Sequence, residues 1–124
     1  MNVVDSSGWL SYFADEANAE YFGPVLTQTD ALVVPVVTVF EVVKVILRES
    51  GEDQALQALA AMQRATVVDL TAQLATAAAR LSLRHSLPMA DSIILATARA
   101  YDATIWTQDA HFSQLPRVEY ISSA

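Results

Sequence analysis

The stretch 88–109, PMADSIILATARAYDATIWTQD, constrains the fold more than any other part of the chain. Apolar residues and alanines cover nearly the whole circumference of the helix that it predicts, so this helix must be enclosed within the molecule. A turn at 101–103 then leads into a short apolar strand, which ends near Asp109. Because the helix opens with Asp91, two carboxylates stand at the ends of two adjacent buried elements. The helix residues expected to be buried are Met89, Ile93, Ile94, Leu95, Ala96, Ala98 and Ala100.

The composition indicates one globular domain over residues 1–124, since 53% of the residues are apolar and only 17% are charged. The chain has no cysteine, which excludes a disulfide framework and a thiolate site. No apolar stretch is long enough and free enough of charge to cross a bilayer, and the N-terminus lacks a basic leader, so we expect a cytoplasmic protein without a membrane partner. The net charge of -7 argues against a broad basic surface for nucleic acid. Contact with phosphate would then need metal ions or a second subunit.

Strand and helix patterns alternate along the chain. This alternation predicts an α/β fold with a short parallel sheet of four to five strands and helices on both faces. Groups at the carboxyl ends of the strands of such a sheet share one crevice. Strands are expected at 1–4, 31–34, 66–70, after the turn at 101–103, and at 118–121; helices are expected from residue 6, at 17–26, 53–65 and 71–85, with a turn or short helix at 112–115.

The segment 36–50, VVTVFEVVKVILRES, is ambiguous, because its valines favour a strand while its length favours a helix. Thr38 and Glu41 fit a capping box and Gly51 fits a helix stop, so we interpret the segment as a helix. The expected core stripe is Val39, Phe40, Val43, Ile46 and Leu47. Val42 and Val45 then form a second apolar face, which a subunit, a protein partner, a loop or the next helix could cover. In the helix at 53–65, the residues expected to point inward are Leu56, Leu59, Ala60 and Met62.

Four acids are expected to meet in the crevice. Asp5 and Asp109 follow strands, while Glu41 and Asp91 lie in the first turns of helices. Each alone can be explained as a helix cap or a favourable charge at a helix N-terminus. Together they repel one another, which makes physical sense mainly when a divalent cation binds among them. Oxygen ligands suit Mg²⁺ or Mn²⁺ rather than zinc, and they indicate metal-assisted hydrolysis of a phosphate ester.

Basic residues and histidines near these acids allow more than one interpretation. Lys44 and Arg48 follow Glu41 at one and two helical turns, so they form either ion pairs within the helix or contacts to substrate phosphate. We interpret His111 as structural, with a supporting role behind Asp109 left open. His85 is assigned to a helix end and given no chemistry.

The residues that carry these acids resemble the PIN-domain family, and more closely the VapC-type toxins of bacterial toxin–antitoxin modules. The resemblance rests on Asp5-Ser6-Ser7 after the first strand, Glu41 early in a helix, Ala90-Asp91-Ser92 opening the buried helix, and Thr107-Gln108-Asp109 followed by His111-Phe112. It covers the whole chain in order. Many members carry a further acid near position 111, where this chain has a histidine.

The resemblance implies a PIN-like three-layer sandwich and a Mg²⁺-dependent endoribonuclease, with Mn²⁺ as a substitute and no nucleotide cofactor. It also implies an RNA substrate, a homodimer, and a cognate antitoxin that blocks the site. Asp5, Glu41, Asp91 and Asp109 would be the catalytic metal ligands, supported by Ser6 and Thr107.

Two other functions remain open from the sequence. A noncatalytic PIN-like interaction module would keep the acids for folding or for partner capture. A receiver-like signalling domain has a similar size, and Asp69 after the third strand could be its phosphoacceptor, but the paired acids and the late lysine of such domains are missing. A phosphatase of the haloacid dehalogenase type would need an acid where Ser7 stands.

Overall fold

A computed structural model describes residues 1–123 and contains five strands and six α-helices, all within an α/β fold. The strands are β1 (Asn2–Val4), β2 (Val33–Pro35), β3 (Thr66–Val68), β4 (Thr104–Thr107) and β5 (Val118–Tyr120). The helices are α1 (Ser6–Phe13), α2 (Ala19–Thr27), α3 (Val36–Ser50), α4 (Glu52–Met62), α5 (Ala72–His85) and α6 (Met89–Ala100). Two short 3-10 helices cover Thr29–Ala31 and Ala110–Phe112.

The strands are all parallel and follow the order β3-β2-β1-β4-β5. β1 pairs with β4, with Val4 opposite Trp106, and β4 pairs with β5. β2 and β3 form a second ladder, and a parallel bridge between Asn2 and Leu32 joins it to the first. The predicted parallel sheet is therefore confirmed, and all its strands end at one edge.

The sheet is buried on both faces because its side chains alternate between two cores. Val3 and Ile105 pack against α5 and α6. Val4, which follows Val3 in β1, packs on the opposite side with α1, α2, α3 and α4, and so does Val34 of β2. Helices thus cover both faces, and the predicted three-layer arrangement is confirmed.

Helix α6 is enclosed along its middle, as its composition predicts. Every residue from Ser92 to Ala98 is buried. Two residues expected in that set are instead exposed, since Met89 is 74% exposed at the start of the helix and Ala100 lies at its solvent-facing end. The enclosure therefore extends over two turns rather than over the whole element.

Helix α3 is confirmed as a helix, but its predicted cap is wrong. Its predicted core stripe is right in part, since Ile46 is buried and Val39 and Val43 pack against the core. The helix begins at Val36, directly after Pro35, so Thr38 lies inside the first turn, and its buried hydroxyl has no hydrogen-bond partner among the described residues. Val42 is fully buried, whereas Phe40 is 63% exposed. The helix begins three residues earlier than a cap at Thr38 would place it, and its packing against the core sets which residues face inward. Leu47 is also exposed. In α4, Leu56 and Ala60 are exposed although the sequence predicts them to point inward, whereas Met62 is buried as predicted.

Most other elements form where the sequence predicts them, with ends shifted by one to three residues. At the strand expected at 31–34, Thr29–Ala31 is a 3-10 helix, so β2 begins two residues later, at Val33. Within residues 1–123, none of the helices combines the length and the apolar character that crossing a bilayer requires.

Candidate functional site

Asp5 follows β1 directly and caps the N-terminus of α1. Its Oδ1 atom accepts hydrogen bonds from the Gly8 amide at 3.1 Å and from the Ser7 hydroxyl at 2.7 Å. The residue is only 3% exposed. Burial raises the pKa of this carboxyl from 3.8 to about 6; hydrogen bonds from Ser7, Thr107 and Gly8 oppose the rise, and the charge of Asp109 adds to it. Asp5 is therefore ionised near neutral pH at a cost in free energy.

Thr107, the last residue of β4, joins Asp5 to Asp109. Its side chain is fully buried and hydrogen-bonds with the Asp5 carboxylate, while its hydroxyl oxygen accepts from the Asp109 amide at 2.8 Å. Because β1 and β4 are adjacent, the residues that follow them lie side by side at the carboxyl edge of the sheet. Asp109 in turn caps the 3-10 helix Ala110–Phe112, since its Oδ1 accepts from the His111 amide at 2.9 Å.

Asp91 lies in the first turn of α6 and contacts the imidazole of His111. The Nδ1 atom of His111 is 2.8 Å from Asp91 Oδ2 and 3.4 Å from Asp109 Oδ1. Burial raises the pKa of Asp91, the His111 hydrogen bond opposes that rise, and the charge of Asp109 adds to it. The hydrogen bond with Asp91 and the charge of Asp109 raise the pKa of His111. Both carboxylates thus face one ring nitrogen.

Glu41 lies in α3, the helix that follows β2, and its carboxylate accepts a hydrogen bond from the Ser6 hydroxyl. Ser6 is the residue after Asp5, so this bond fixes Glu41 beside the first turn of α1. The sequence predicts a capping box between Glu41 and Thr38, and this prediction is wrong because the Glu41 carboxylate binds Ser6 instead. Glu41 is tied to the site by Ser6, although it lies outside the tight group formed by Asp91, Asp109 and His111.

A divalent cation fits this arrangement of donors. One ligand atom from each of Asp91, Asp109 and His111 lies within 4.8 Å of the others, and Asp5 is close enough to Asp109 for their charges to interact. Across residues 1–123, no lysine or arginine pairs with these acids or with Glu41. Carboxylates collected without lysine or arginine partners suit a hard cation, which can polarise a phosphate and activate water.

His111 is the site residue that sequence reasoning underestimated. The sequence indicates a structural role for it and a metal preference set by oxygen ligands alone, yet its ring nitrogen contacts two of the carboxylates. The available signal was its spacing from Asp109. Residues at i and i+2 across a capped turn can present both side chains to one point.

Lys44 and Arg48 do not pair with Glu41. The Lys44 ammonium lies 5.7 Å from the centre of the Phe40 ring, and Arg48 contacts Glu49 at 3.4 Å on the helix surface. The expected ion pairs within the helix are therefore absent from the described part of α3. A contact between these cations and phosphate stays a prediction.

Comparison with known proteins connects this geometry to a family. A family model described as "PIN domain" matches residues 3–118. Among curated protein sequences, none matched the chain. The match does not test the boundaries of the single domain predicted over 1–124, which stay a prediction.

Several solved structures share the fold at low sequence identity. A toxin–antitoxin complex from Klebsiella pneumoniae superposes with a TM-score of 0.82 at 18% identity, covering 96% of each chain. VapC20 from Mycobacterium tuberculosis, described as a toxin that cleaves the sarcin–ricin loop, gives a TM-score of 0.79 at 20% identity over 96% of this chain and 98% of that one. VapBC2 from Rickettsia felis, bound to a DNA fragment from its promoter, gives 0.74 at 14% identity over 98% and 97%. At these identities the likeness concerns the fold.

The receiver-like alternative loses its support. Receiver domains have the strand order 2-1-3-4-5, whereas the order here is 3-2-1-4-5. Asp69 follows β3 at the edge of the sheet and is exposed, away from the acids after β1 and β4. The family match to residues 3–118 agrees with this difference.

Proposed function

The chain belongs to the PIN-domain family, and from that premise we propose that it is a divalent-metal-dependent endoribonuclease of the VapC type. RNA phosphodiester bonds are the proposed substrate, and Mg²⁺ is the proposed ion, with Mn²⁺ as a substitute. The protein would act as the toxin of a toxin–antitoxin pair. Support for the toxin role comes from the structural neighbours, whose descriptions name toxins and toxin–antitoxin complexes.

The observation that carries the proposal is the convergence of acids from distant segments, none of which pairs with a lysine or arginine among residues 1–123. Asp5, Asp91 and Asp109 interact through their charges, and Glu41 joins them through Ser6. The pKa values of Asp5 and Asp91 are raised chiefly by burial. A fold that needed these residues only as caps would gain nothing from bringing them together, because like charges at short range oppose each other's ionisation.

Each residue has a role in the proposed reaction. The carboxylates of Asp5, Glu41, Asp91 and Asp109 would hold the ion. A bound divalent ion would activate water and stabilise the leaving oxygen of a phosphate ester. Ser6 orients Glu41 by its hydrogen bond, and Thr107 orients Asp5 and Asp109 from the buried side.

Substrate phosphates need cations because the protein itself carries a net charge of -7. Lys44 and Arg48 are the proposed phosphate contacts, since both project from α3, the helix that carries Glu41, and their side chains reach solvent. Replacing either with glutamine should weaken RNA binding more than it slows cleavage at saturating RNA.

A protein partner is part of the proposal. Helices α1, α3 and α4 border a groove of ≈ 460 Å³ that is lined by apolar residues such as Phe13 and Val45 and by polar ones such as Glu16 and Gln54. Phe40 and Leu47 expose further apolar surface on α3. We infer that the exposed apolar residues of α3 and the adjacent groove serve a homodimer and a cognate antitoxin, because exposed apolar side chains that lie together mark protein contacts. Light scattering of the purified protein, alone and with a co-encoded antitoxin, would test both contacts.

RNA cleavage by the purified protein tests the proposed function. We expect cleavage in Mg²⁺ or Mn²⁺, none in a chelator, and none for Asp91→Asn, which keeps the shape of the side chain and removes its charge. Asp53→Asn is the matched control, since Asp53 is an exposed acid in α4 outside the site. Sequencing the RNA ends would identify the cleaved bond. Cleavage by Asp91→Asn at the wild-type rate would refute the assignment, and intact RNA with every ion would favour the noncatalytic interaction module.

A further inference from the structure

We propose that His111 binds the divalent ion directly through Nδ1, so that the site is a mixed nitrogen and oxygen site. The inference rests on the proposed function because it concerns the same ion. It goes further by assigning a ligand outside the four acids and by changing the expected metal preference.

The position of the imidazole is set by the backbone around it. Asp109 caps the 3-10 helix Ala110–Phe112 by accepting from the His111 amide, and Phe112, the next residue, is fully buried. These two anchors hold the ring over Asp91 and Asp109 although its side chain is 57% exposed. In the metal-free chain Nδ1 hydrogen-bonds with Asp91, and a bound ion would take the place of the Nδ1 proton between the same two side chains.

Two of the three distances between the donor atoms are close to those of a shared ion, and the third lies within 4.8 Å. First-row divalent ions and Mg²⁺ bind nitrogen and oxygen at about 2.0–2.2 Å, so neighbouring ligand atoms of one octahedral ion are about 3 Å apart. His111 Nδ1 lies 2.8 Å from Asp91 Oδ2 and 3.4 Å from Asp109 Oδ1. All three donors can therefore face one ion after small side-chain rotations.

A nitrogen ligand alters which ion binds best. Mg²⁺ prefers oxygen, whereas imidazole suits transition metals, whose affinity rises from Mn²⁺ through Co²⁺ to Ni²⁺. We therefore expect this site to select Mn²⁺ and Co²⁺ over Mg²⁺ more strongly than a site built from carboxylates alone. Position 111 becomes a determinant of metal specificity.

Pulsed electron paramagnetic resonance of the Mn²⁺-loaded protein tests the ligand directly, because a nitrogen bound to Mn²⁺ modulates the electron spin echo. We expect this modulation in the wild-type protein and its loss in His111→Ala and His111→Asp. His85→Asn is the matched control, since the chain contains only two histidines, and it should keep the signal. Circular dichroism checks that each variant is folded; two different substitutions at an exposed position guard against a folding defect in one of them.

Calorimetric titration with Mg²⁺ and Co²⁺ tests the preference independently. His111→Asp should reduce the ratio of Co²⁺ affinity to Mg²⁺ affinity by about tenfold or more. An unchanged ratio, or a wild-type Mn²⁺ spectrum without nitrogen modulation, would overturn the inference even if RNA were cleaved. A nitrogen signal that disappears in both variants would support it even if RNA stayed intact, in which case the proposed function alone would fail.

Discussion

Replacing Asp5 with asparagine tests whether the buried charge of this carboxylate lowers the free energy of unfolding of the metal-free protein. Asp5 is 3% exposed, and burial raises its pKa from 3.8 to about 6. This rise makes ionisation about 3 kcal/mol less favourable in the folded chain than in the unfolded chain. Because the folded pKa is the higher one, the stability linked to the protonated group is fully present below pH 3.8 and is lost as the pH rises through about 6.

Asparagine removes the charge and keeps most of the hydrogen bonds. Its Oδ1 atom can still accept from Ser7 and Gly8, whereas its amide group cannot accept from Thr107. Losing that one hydrogen bond costs about 1 kcal/mol. In the absence of metal, Asp5→Asn should therefore be more stable than the wild type by about 2 kcal/mol at about pH 7.5. At about pH 4, where wild-type Asp5 is largely protonated, the advantage should disappear.

Urea denaturation in a chelator, repeated across this pH range and followed by circular dichroism, measures the difference. Asp53→Asn serves as the control, because an exposed acid of the same type should give a small difference that varies little with pH. A difference for Asp5→Asn that stays constant from about pH 4 to about pH 7.5 would refute the reasoning, as would a loss of stability at the higher pH. Saturating Mn²⁺ should reverse the order, since only the wild type keeps every metal ligand.

Three further predictions follow from the same geometry. Millimolar Mn²⁺ or Mg²⁺ should raise the melting temperature of the wild type in differential scanning fluorimetry and raise that of Asp91→Asn less; equal shifts would contradict a shared site. Gly8→Ala should lower the free energy of unfolding by about 1–3 kcal/mol, because the added methyl would lie 2.5 Å from Val4 Cγ1, whereas Gly23→Ala, whose methyl meets Tyr12 at 3.6 Å, should not. By NMR titration, the pKa of His111 should lie above 6.5 and fall in Asp91→Asn, since the carboxylate stabilises the imidazolium; the linked stability is present at low pH and lost as the pH rises through that pKa.

The sequence predicted the layers of this fold because burial on both faces leaves a strong pattern. The apolar run of β4 and the nearly continuous apolar surface of α6 allow few arrangements, and the structure has the expected one. Helix α3 was harder, because its valines and its exposed Phe40 and Leu47 give apolar residues on every side. Periodicity alone could not choose the inward face, and the start at Val36 was masked by a plausible cap at Thr38.

The sequence predicted some of the contacts within the site and missed others, because only some of them follow from the order of the strands and helices. Asp5, Asp91 and Asp109 end or begin elements whose places in the sheet follow from topology, so their approach could be predicted. The bond between Ser6 and Glu41 depends on the rotation of α3, and the orientation of His111 depends on the turn capped by Asp109. Such details of rotation and turn geometry are set by tertiary packing and leave no periodic signal in the sequence.

The pairing of β1 with β4 has a consequence for when activity can arise. It joins Asn2–Val4 to Thr104–Trp106, two segments about one hundred positions apart, and the carboxylates gather only once these strands lie side by side. Contacts of such long range form late and cooperatively. A nascent or partly unfolded chain would hold the same acids without a shared pocket. The proposed nuclease activity would therefore appear only when folding is complete, and any condition that separates this strand pair would abolish it.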